Sequence, residues 1–85
     1  MASYQLKIKK SAEKELAALP VNTILTIRNH IIILKNNPFP LGYKKLKGFK
    51  NIYRIRSGNY RIIYSIMHEV LTIEVLKISH RKDAY

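Results

Sequence analysis

The stretch "YRIRSGNYRIIYSIM" (Tyr53–Met67) constrains the fold most, because two runs of alternating apolar and polar side chains flank Ser57-Gly58. Successive side chains of a β-strand point to opposite faces, so this alternation predicts two strands that each bury one face. Gly58 can adopt the positive φ angle that a tight hairpin turn requires. We therefore predict an antiparallel hairpin in which Asn51–Arg56 and Asn59–Met67 pair across a turn at Ser57-Gly58.

This turn determines which side chains share a face of the hairpin. A two-residue loop at Ser57-Gly58 places Arg54 opposite Arg61 and puts Arg56 on the same face. Moving the turn by one residue on both strands would change the pairs but not the faces, whereas a three-residue loop would separate the aromatic residues. The face opposite the arginines carries Tyr53, Ile55, Tyr60, Ile62 and Tyr64.

The first half of the chain is predicted to form one strand and two helices. Alternation predicts a strand at Tyr4–Lys9, and Ser11 is a suitable cap for the helix that follows it. Pro20 ends this helix, and apolar residues at helical spacing predict a second helix over Val21–Asn36. Helices joined so closely are expected to form an antiparallel hairpin.

The second half is predicted to contain a loop and three strands. Proline and glycine content indicates a loop over Pro38–Lys50, and a turn at His68-Glu69 leads into a last strand over Val70–Ile78. The resulting βααβββ order predicts an α+β fold. We expect a single domain over residues 1–85, with a small antiparallel sheet, mixed at the N-terminal strand, packed on the helical hairpin.

Positive charge limits the possible partners. Sixteen lysines and arginines stand against five acidic residues, which gives a net charge of +11 over 85 residues. Such a charge favours nucleic acid, an anionic membrane or an acidic protein as a partner. No apolar run approaches the roughly 18 residues of a membrane span, and the first residues lack the apolar core of a signal peptide. We therefore expect a cytoplasmic protein without a membrane partner.

Metal and cofactor chemistry find no support in the sequence. The chain has no cysteine, and His30, His68 and His80 do not show the spacing of zinc ligands. The three glycines stand alone, so no glycine-rich phosphate loop is present. We expect no metal and no cofactor, and any phosphate chemistry must rely on side chains.

Three arginines on one sheet face suggest an anion site. Like charges opposed across strands destabilise a sheet, and the guanidinium fork is well suited to phosphate. The alternative is a solvated face whose arginines extend into water, and the residues alone leave both open. Lys44, Lys45, Lys47 and Lys50 in the preceding loop extend the basic surface, and Lys45 and Lys47 are the candidate substrate-binding residues among them.

The segment "LKGFKNIYRIRSGNYRIIY" (Leu46–Tyr64), followed by a strand and "HRKDAY" (His80–Tyr85), resembles the RelE branch of the RelE/ParE toxin superfamily. The resemblance covers the whole chain. It implies a toxin of a type II toxin–antitoxin system with an acidic cognate antitoxin. It further implies an endoribonuclease (mRNA interferase) that enters the ribosomal A site and cuts mRNA without a metal, by attack of a 2′-OH on the adjacent phosphate.

The resemblance also assigns roles to individual residues. Arg61 and Arg81 would hold the scissile phosphate and stabilise the charge of its transition state. Arg54 and Arg56 would bind and orient the RNA backbone. Tyr85 would stack on or orient a nucleotide.

The sequence leaves the identity of the general base open. Some RelE proteins carry lysines where this chain has Arg54 and Arg56, and arginine does not lose its proton. His80 is the alternative base, although a structural or RNA-contacting role is also expected for it. Tyr85 can serve if the surrounding cations lower its pKa.

Two other functions fit the same sequence. A ParE-like toxin would inhibit DNA gyrase by binding, without catalysis. A third possibility is an inactive relative that binds RNA or titrates an antitoxin. The terminal arginine followed by a tyrosine favours the RelE prediction over these.

Overall fold

A computed structural model describes residues 4–80 and residue 82 of the protein. Within these residues the chain forms five strands and two α-helices, and a short 3₁₀ turn (His68–Val70) precedes the last strand. In chain order the elements are β1 (Gln5–Ile8), α1 (Lys10–Ala17), α2 (Val21–Asn36), β2 (Lys44–Lys45), β3 (Ile52–Ser57), β4 (Tyr60–Met67) and β5 (Thr72–His80).

The described strands form one sheet in the order β1-β5-β4-β3-β2. Neighbouring strands are antiparallel except for β1, which pairs with β5 in parallel. The prediction of an α+β fold, with an antiparallel sheet that is mixed at its N-terminal strand, is therefore confirmed. β2 was not predicted, because its two exposed lysines show no alternation of apolar and polar residues.

The helices pack their apolar stripes on one face of the sheet. α2 has the predicted bounds, but α1 begins at Lys10 rather than after a Ser11 cap, so that prediction is wrong. Backbone pairing explains the early start: the Lys9 N–H donates to Val75 O at 2.9 Å, and Lys9 O accepts the first helical hydrogen bond from Glu13. The chain thus turns from strand pairing directly into the helix.

The core lies between this helical layer and one face of the sheet. Fully burying a large aliphatic side chain stabilises a fold by about 1.5–3 kcal/mol relative to leaving it exposed. The hydroxyl of Tyr64, a residue at 0% exposure, donates to Pro38 O at 2.7 Å. The buried hydrophobic residues are Ala12, Leu16, Ile27, Ile31, Leu34, Tyr53, Ile55, Ile62, Tyr64, Ile66, Ile73, Val75 and Ile78.

The hairpin between β3 and β4 differs from the prediction in register. Arg56 lies opposite Arg61, and Arg54 lies opposite Ile63, so the predicted Arg54–Arg61 pair is wrong. Ser57 remains in β3 because its buried hydroxyl hydrogen-bonds to His30 Nδ1 of α2 at 2.7 Å. The turn therefore begins one residue later than predicted, and the faces of both strands stay as predicted.

The connection between β4 and β5 is also longer than predicted. Residues 68–71 form it: the 3₁₀ turn His68–Val70 is followed by its cap Leu71, whose φ is 45°. The last strand accordingly begins at Thr72 and continues to His80, beyond the predicted end at Ile78.

Candidate nucleic-acid interface

Four cations lie together on the face of the sheet that the helices leave open. Lys44 is the cross-strand partner of Arg54, and Arg56 is the partner of Arg61. Directly opposed residues have Cβ atoms about 4.5–5.5 Å apart, so each pair can contact one anion together. β2, β3 and β4 contain no acidic residue. We call Lys44, Arg54, Arg56 and Arg61 the cation face.

Arg61 is the most constrained member of the cation face. Its Nε and Nη1 atoms are inaccessible to solvent, and it lies opposite the buried Ser79 of β5. Arg56, by contrast, is exposed. The Arg61 guanidinium is thus held within the sheet surface, whereas the Arg56 side chain is free to adjust to a ligand.

A cavity of about 270 Å³ opens on this face. Lys44, Arg54 and Arg56 line it together with Leu41 and Gly42. Its volume is slightly below that of typical small-molecule pockets, which suits a phosphate group with part of a sugar. Charge-assisted hydrogen bonds from arginine and lysine are the contacts that phosphate prefers.

The two loop lysines predicted to bind substrate lie away from the cation face. Lys45 is the partner of Tyr53, which places it on the opposite side of β2 from Lys44. Lys47 follows in the loop between β2 and β3, and both lysines line a shallow surface pocket that includes Phe49. The sequence places Lys44 among the loop lysines that extend the basic surface, but its position opposite Arg54 was not predicted because the pairing of β2 with β3 was not predicted.

His80 also lies on the other side of the sheet from Arg61. It is the cross-strand partner of Tyr60, and the two rings meet edge to face with centroids 5.2 Å apart. Its Nδ1 accepts a hydrogen bond from the Lys82 N–H at 3.2 Å. The described geometry therefore brings His80 into contact with Tyr60 and does not bring it to the cation face.

Lys77 of β5 is engaged by an acidic side chain of α1. Its Nζ lies 3.1 Å from Glu15 Oε2, and Glu15 Oε1 accepts the backbone N–H of Ile78 at 3.0 Å. β1 pairs with β5 only as far as Val75, and the Glu15 carboxylate hydrogen-bonds to β5 just after that point. This contact fixes the part of β5 that carries Ser79 next to Arg61.

Two of the predicted catalytic residues, Arg81 and Tyr85, lie outside the described residues. Among the residues that are described, no three histidine, aspartate or glutamate side chains are grouped so that they could hold a metal ion. No helix within residues 4–80 is long and apolar enough to cross a membrane.

Comparison with known proteins establishes the family. Residues 6–85 match the model of the ParE toxin of the type II toxin–antitoxin system parDE. The chain belongs to the RelE/ParE toxin superfamily. Among its members, "Putative toxin RelE1" of Methanocaldococcus jannaschii is 34% identical to this chain over 85 residues. The alignment covers 96% of this chain and 94% of that protein.

Solved structures place this RelE/ParE toxin in the RelE branch. The archaeal RelE–RelB complex from Pyrococcus horikoshii OT3 contains a chain that superposes with a TM-score of 0.84 at 33% identity, covering 96% of this chain and 99% of that one. The RelB–RelE complex from Methanococcus jannaschii gives a TM-score of 0.76 at 33% identity, with 93% and 94% coverage. The protein is a RelE-like toxin of a type II toxin–antitoxin system.

Proposed function

We propose that this toxin is a ribosome-dependent endoribonuclease that cleaves mRNA in the A site. The observation that carries the proposal is the cation face, which places four cations on the sheet face that the helices leave open, three of them lining one cavity. Arg56 and Arg61 are directly opposed across β3 and β4, and like charges in this position repel each other, so an anion can bind favourably to both. The phosphodiester backbone of mRNA is such an anion.

The cation face supports attack of a ribose 2′-OH on the adjacent phosphate. Arg61, which is held in place before substrate arrives, would stabilise the negative charge that builds up on the phosphate oxygens. Lys44, Arg54 and Arg56 would hold the backbone so that the 2′-OH and the phosphorus atom stay aligned. These roles need no metal ion.

Proton transfer is assigned to the C-terminal residues. His80 packs on Tyr60 away from the cation face, so we propose that it supports the end of β5 rather than acting as the general base. Tyr85 then takes the proton of the 2′-OH or orients the nucleotide, and Arg81 adds positive charge at the scissile phosphate. Replacement of Tyr85 by phenylalanine separates these roles, because only stacking survives.

An acidic antitoxin is the proposed protein partner. The two RelE relatives described above were crystallised with RelB. A protein with a net charge of +11 attracts an acidic partner over long distances. We propose that the cognate antitoxin inhibits the toxin by neutralising or covering the cation face.

The decisive experiment combines purified toxin with ribosomes programmed with a defined mRNA. We expect cuts within the A-site codon and a 2′,3′-cyclic phosphate on the upstream product. A 2′-deoxy substitution at the nucleotide that supplies the attacking hydroxyl should abolish cleavage. The matched control carries the same substitution one nucleotide away and should be cut normally. Cleavage of the 2′-deoxy substrate at the same bond would contradict the mechanism.

Inhibition of DNA gyrase is the second candidate, since the matching family model describes ParE toxins. A supercoiling assay with purified gyrase tests it directly. Inhibition of gyrase together with intact mRNA on programmed ribosomes would replace the nuclease proposal with this one.

A further inference from the structure

The loop between β2 and β3 has a defined shape, although it contains no regular structure. Its base is closed by a hydrogen bond from Leu46 N–H to Ile52 O at 2.9 Å. Gly48 has a φ of 81° and Asn51 a φ of 59°, a left-handed conformation that glycine and asparagine adopt most readily. The loop therefore presents its side chains, including Phe49, from a constrained backbone.

Two phenylalanines close to β2 differ in what their rings do. Phe39 contacts the rings of Tyr43, Tyr53 and His68, with centroids 5.1–6.4 Å apart. Phe49 is 57% exposed and contacts no other aromatic ring among the described residues. Phe39, although 38% exposed, packs against neighbouring rings, whereas the Phe49 ring has no aromatic neighbour among the described residues.

Lysines surround the Phe49 ring. Lys45, Lys47 and Lys50 line one shallow surface pocket of about 490 Å³ with Phe49, and none of the lining residues is acidic. All three lysines are exposed. Because Lys45 lies on the opposite side of β2 from Lys44, this surface is distinct from the cation face. We call Lys45, Lys47, Phe49 and Lys50 the loop surface.

We propose that the loop surface is a second contact for single-stranded RNA, in which one base stacks on Phe49 and the lysines bind the flanking phosphates. An exposed aromatic ring among basic residues is how many proteins bind single strands without sequence preference. A shallow pocket accommodates a planar base but lacks the walls that enclose an apolar side chain of a protein partner. The inference rests on the proposed RNA function, since it extends the path of RNA beyond the cation face.

The test measures binding of a short 2′-O-methyl RNA of mixed sequence, which the toxin cannot cut by 2′-OH attack, over a range of salt concentrations. Phe49→Ala should weaken binding roughly 5- to 150-fold, as expected for the loss of one stacked base. The salt dependence should stay unchanged, because no charge is removed. Phe49→Leu keeps an apolar side chain without an aromatic face and should weaken binding nearly as much.

Replacing the lysines tests the electrostatic half of the proposal. The triple variant K45Q/K47Q/K50Q should make the slope of log K against log salt shallower by about 2, because each phosphate contact on a single strand contributes roughly 0.7. The matched control K9Q/K10Q/K14Q removes the same charge from exposed positions at and before α1 and should leave the slope nearly unchanged. Thermal melts of each variant establish that the fold is retained.

Three outcomes would overturn the proposal. Wild-type affinity in both Phe49 variants would exclude stacking, and equal slope changes in the two triple variants would show that only net charge matters. Normal RNA binding by K45Q/K47Q/K50Q with loss of antitoxin binding would identify an acidic protein as the occupant instead. A toxin that binds the uncleavable RNA through Phe49 yet fails to cut mRNA on ribosomes would refute the nuclease function alone.

Discussion

Adjacent residues of β4 belong to two different regions of the molecule. Ile62, Tyr64 and Ile66 point toward the helices and are fully buried, whereas Arg61 lies on the open face beside Arg56. Because successive side chains of a strand point to opposite faces, β4 contributes to both regions. One face supplies apolar burial for stability, and the other carries the opposed cations Arg56 and Arg61. Substitutions on the two faces should therefore change different measurable quantities.

The largest expected effect on stability comes from the covered face. Ile62→Ala removes a fully buried side chain and should lower the free energy of unfolding by about 2–5 kcal/mol. Urea denaturation followed by circular dichroism measures this change. Cleavage per folded molecule, assayed at low temperature, should remain close to wild type. A loss below about 1 kcal/mol would show that the helices do not pack on this face as described.

A substitution at the adjacent residue, Arg61 on the open face, should reduce activity and leave stability nearly unchanged. Arg61→Ala is expected to reduce mRNA cleavage roughly 100- to 1,000-fold, because it removes a preorganised donor to the transition state. The melting temperature should change little. Lys7→Ala is the matched control, since Lys7 is an exposed cation on the same sheet face that lies opposite Glu74. Equal loss of activity in both variants would mean that general charge, not Arg61, supports catalysis.

Alkaline pH should lower the free energy of unfolding through Tyr64, which lies on the covered face. Burial raises the pKa of the Tyr64 phenol above its ordinary value of 10, and the nearby Tyr53 and Tyr43 raise it further. The unfolded chain releases this proton near pH 10 while the folded protein keeps it, so stability is complete below pH 10 and falls as the pH rises above it. Tyr64→Phe should make that decline shallower by up to about 1.4 kcal/mol per pH unit. Identical slopes in urea titrations of the two proteins would contradict this.

The smallest expected effect is a gain in stability. Arg56→Gln relieves the direct opposition of Arg56 and Arg61 and should raise the free energy of unfolding by a few tenths of a kcal/mol, while it weakens RNA binding. A matched replacement, Arg28→Gln on the exposed surface of α2, should not stabilise the protein. Destabilisation by Arg56→Gln would show that the two arginines do not repel each other in the free toxin.

Patterns local in sequence predicted the fold and the composition of the sheet faces. The apolar spacing of α2 gave its bounds, and strand alternation placed Arg54, Arg56 and Arg61 on one face. The hairpin register was missed because it depends on the contact between Ser57 and His30, which are 27 residues apart. No local pattern reports a tertiary hydrogen bond of this kind.

The site was predicted only in part, again because some of its contacts join residues that are distant in sequence. Lys44 joins the arginines only through the two-residue strand β2, and lysine pairs show no periodicity from which such a strand could be recognised. The position of His80 against Tyr60 follows from the register of β4 with β5, which includes a bulge between Ile63 and Tyr64. The expectations for Arg81 and Tyr85 stay predictions that the substitutions at those positions can test.

The parallel pairing of β1 with β5 has a consequence for the synthesis of the toxin. Gln5 pairs with Thr72, so the first strand must wait for nearly the whole chain before it finds its partner. Contacts this distant in sequence slow folding, because a long loop has to close before any stabilisation is gained. On a translating ribosome β5 emerges after every other described element. The sheet that displays Arg61 is therefore completed only when the nascent chain is almost finished.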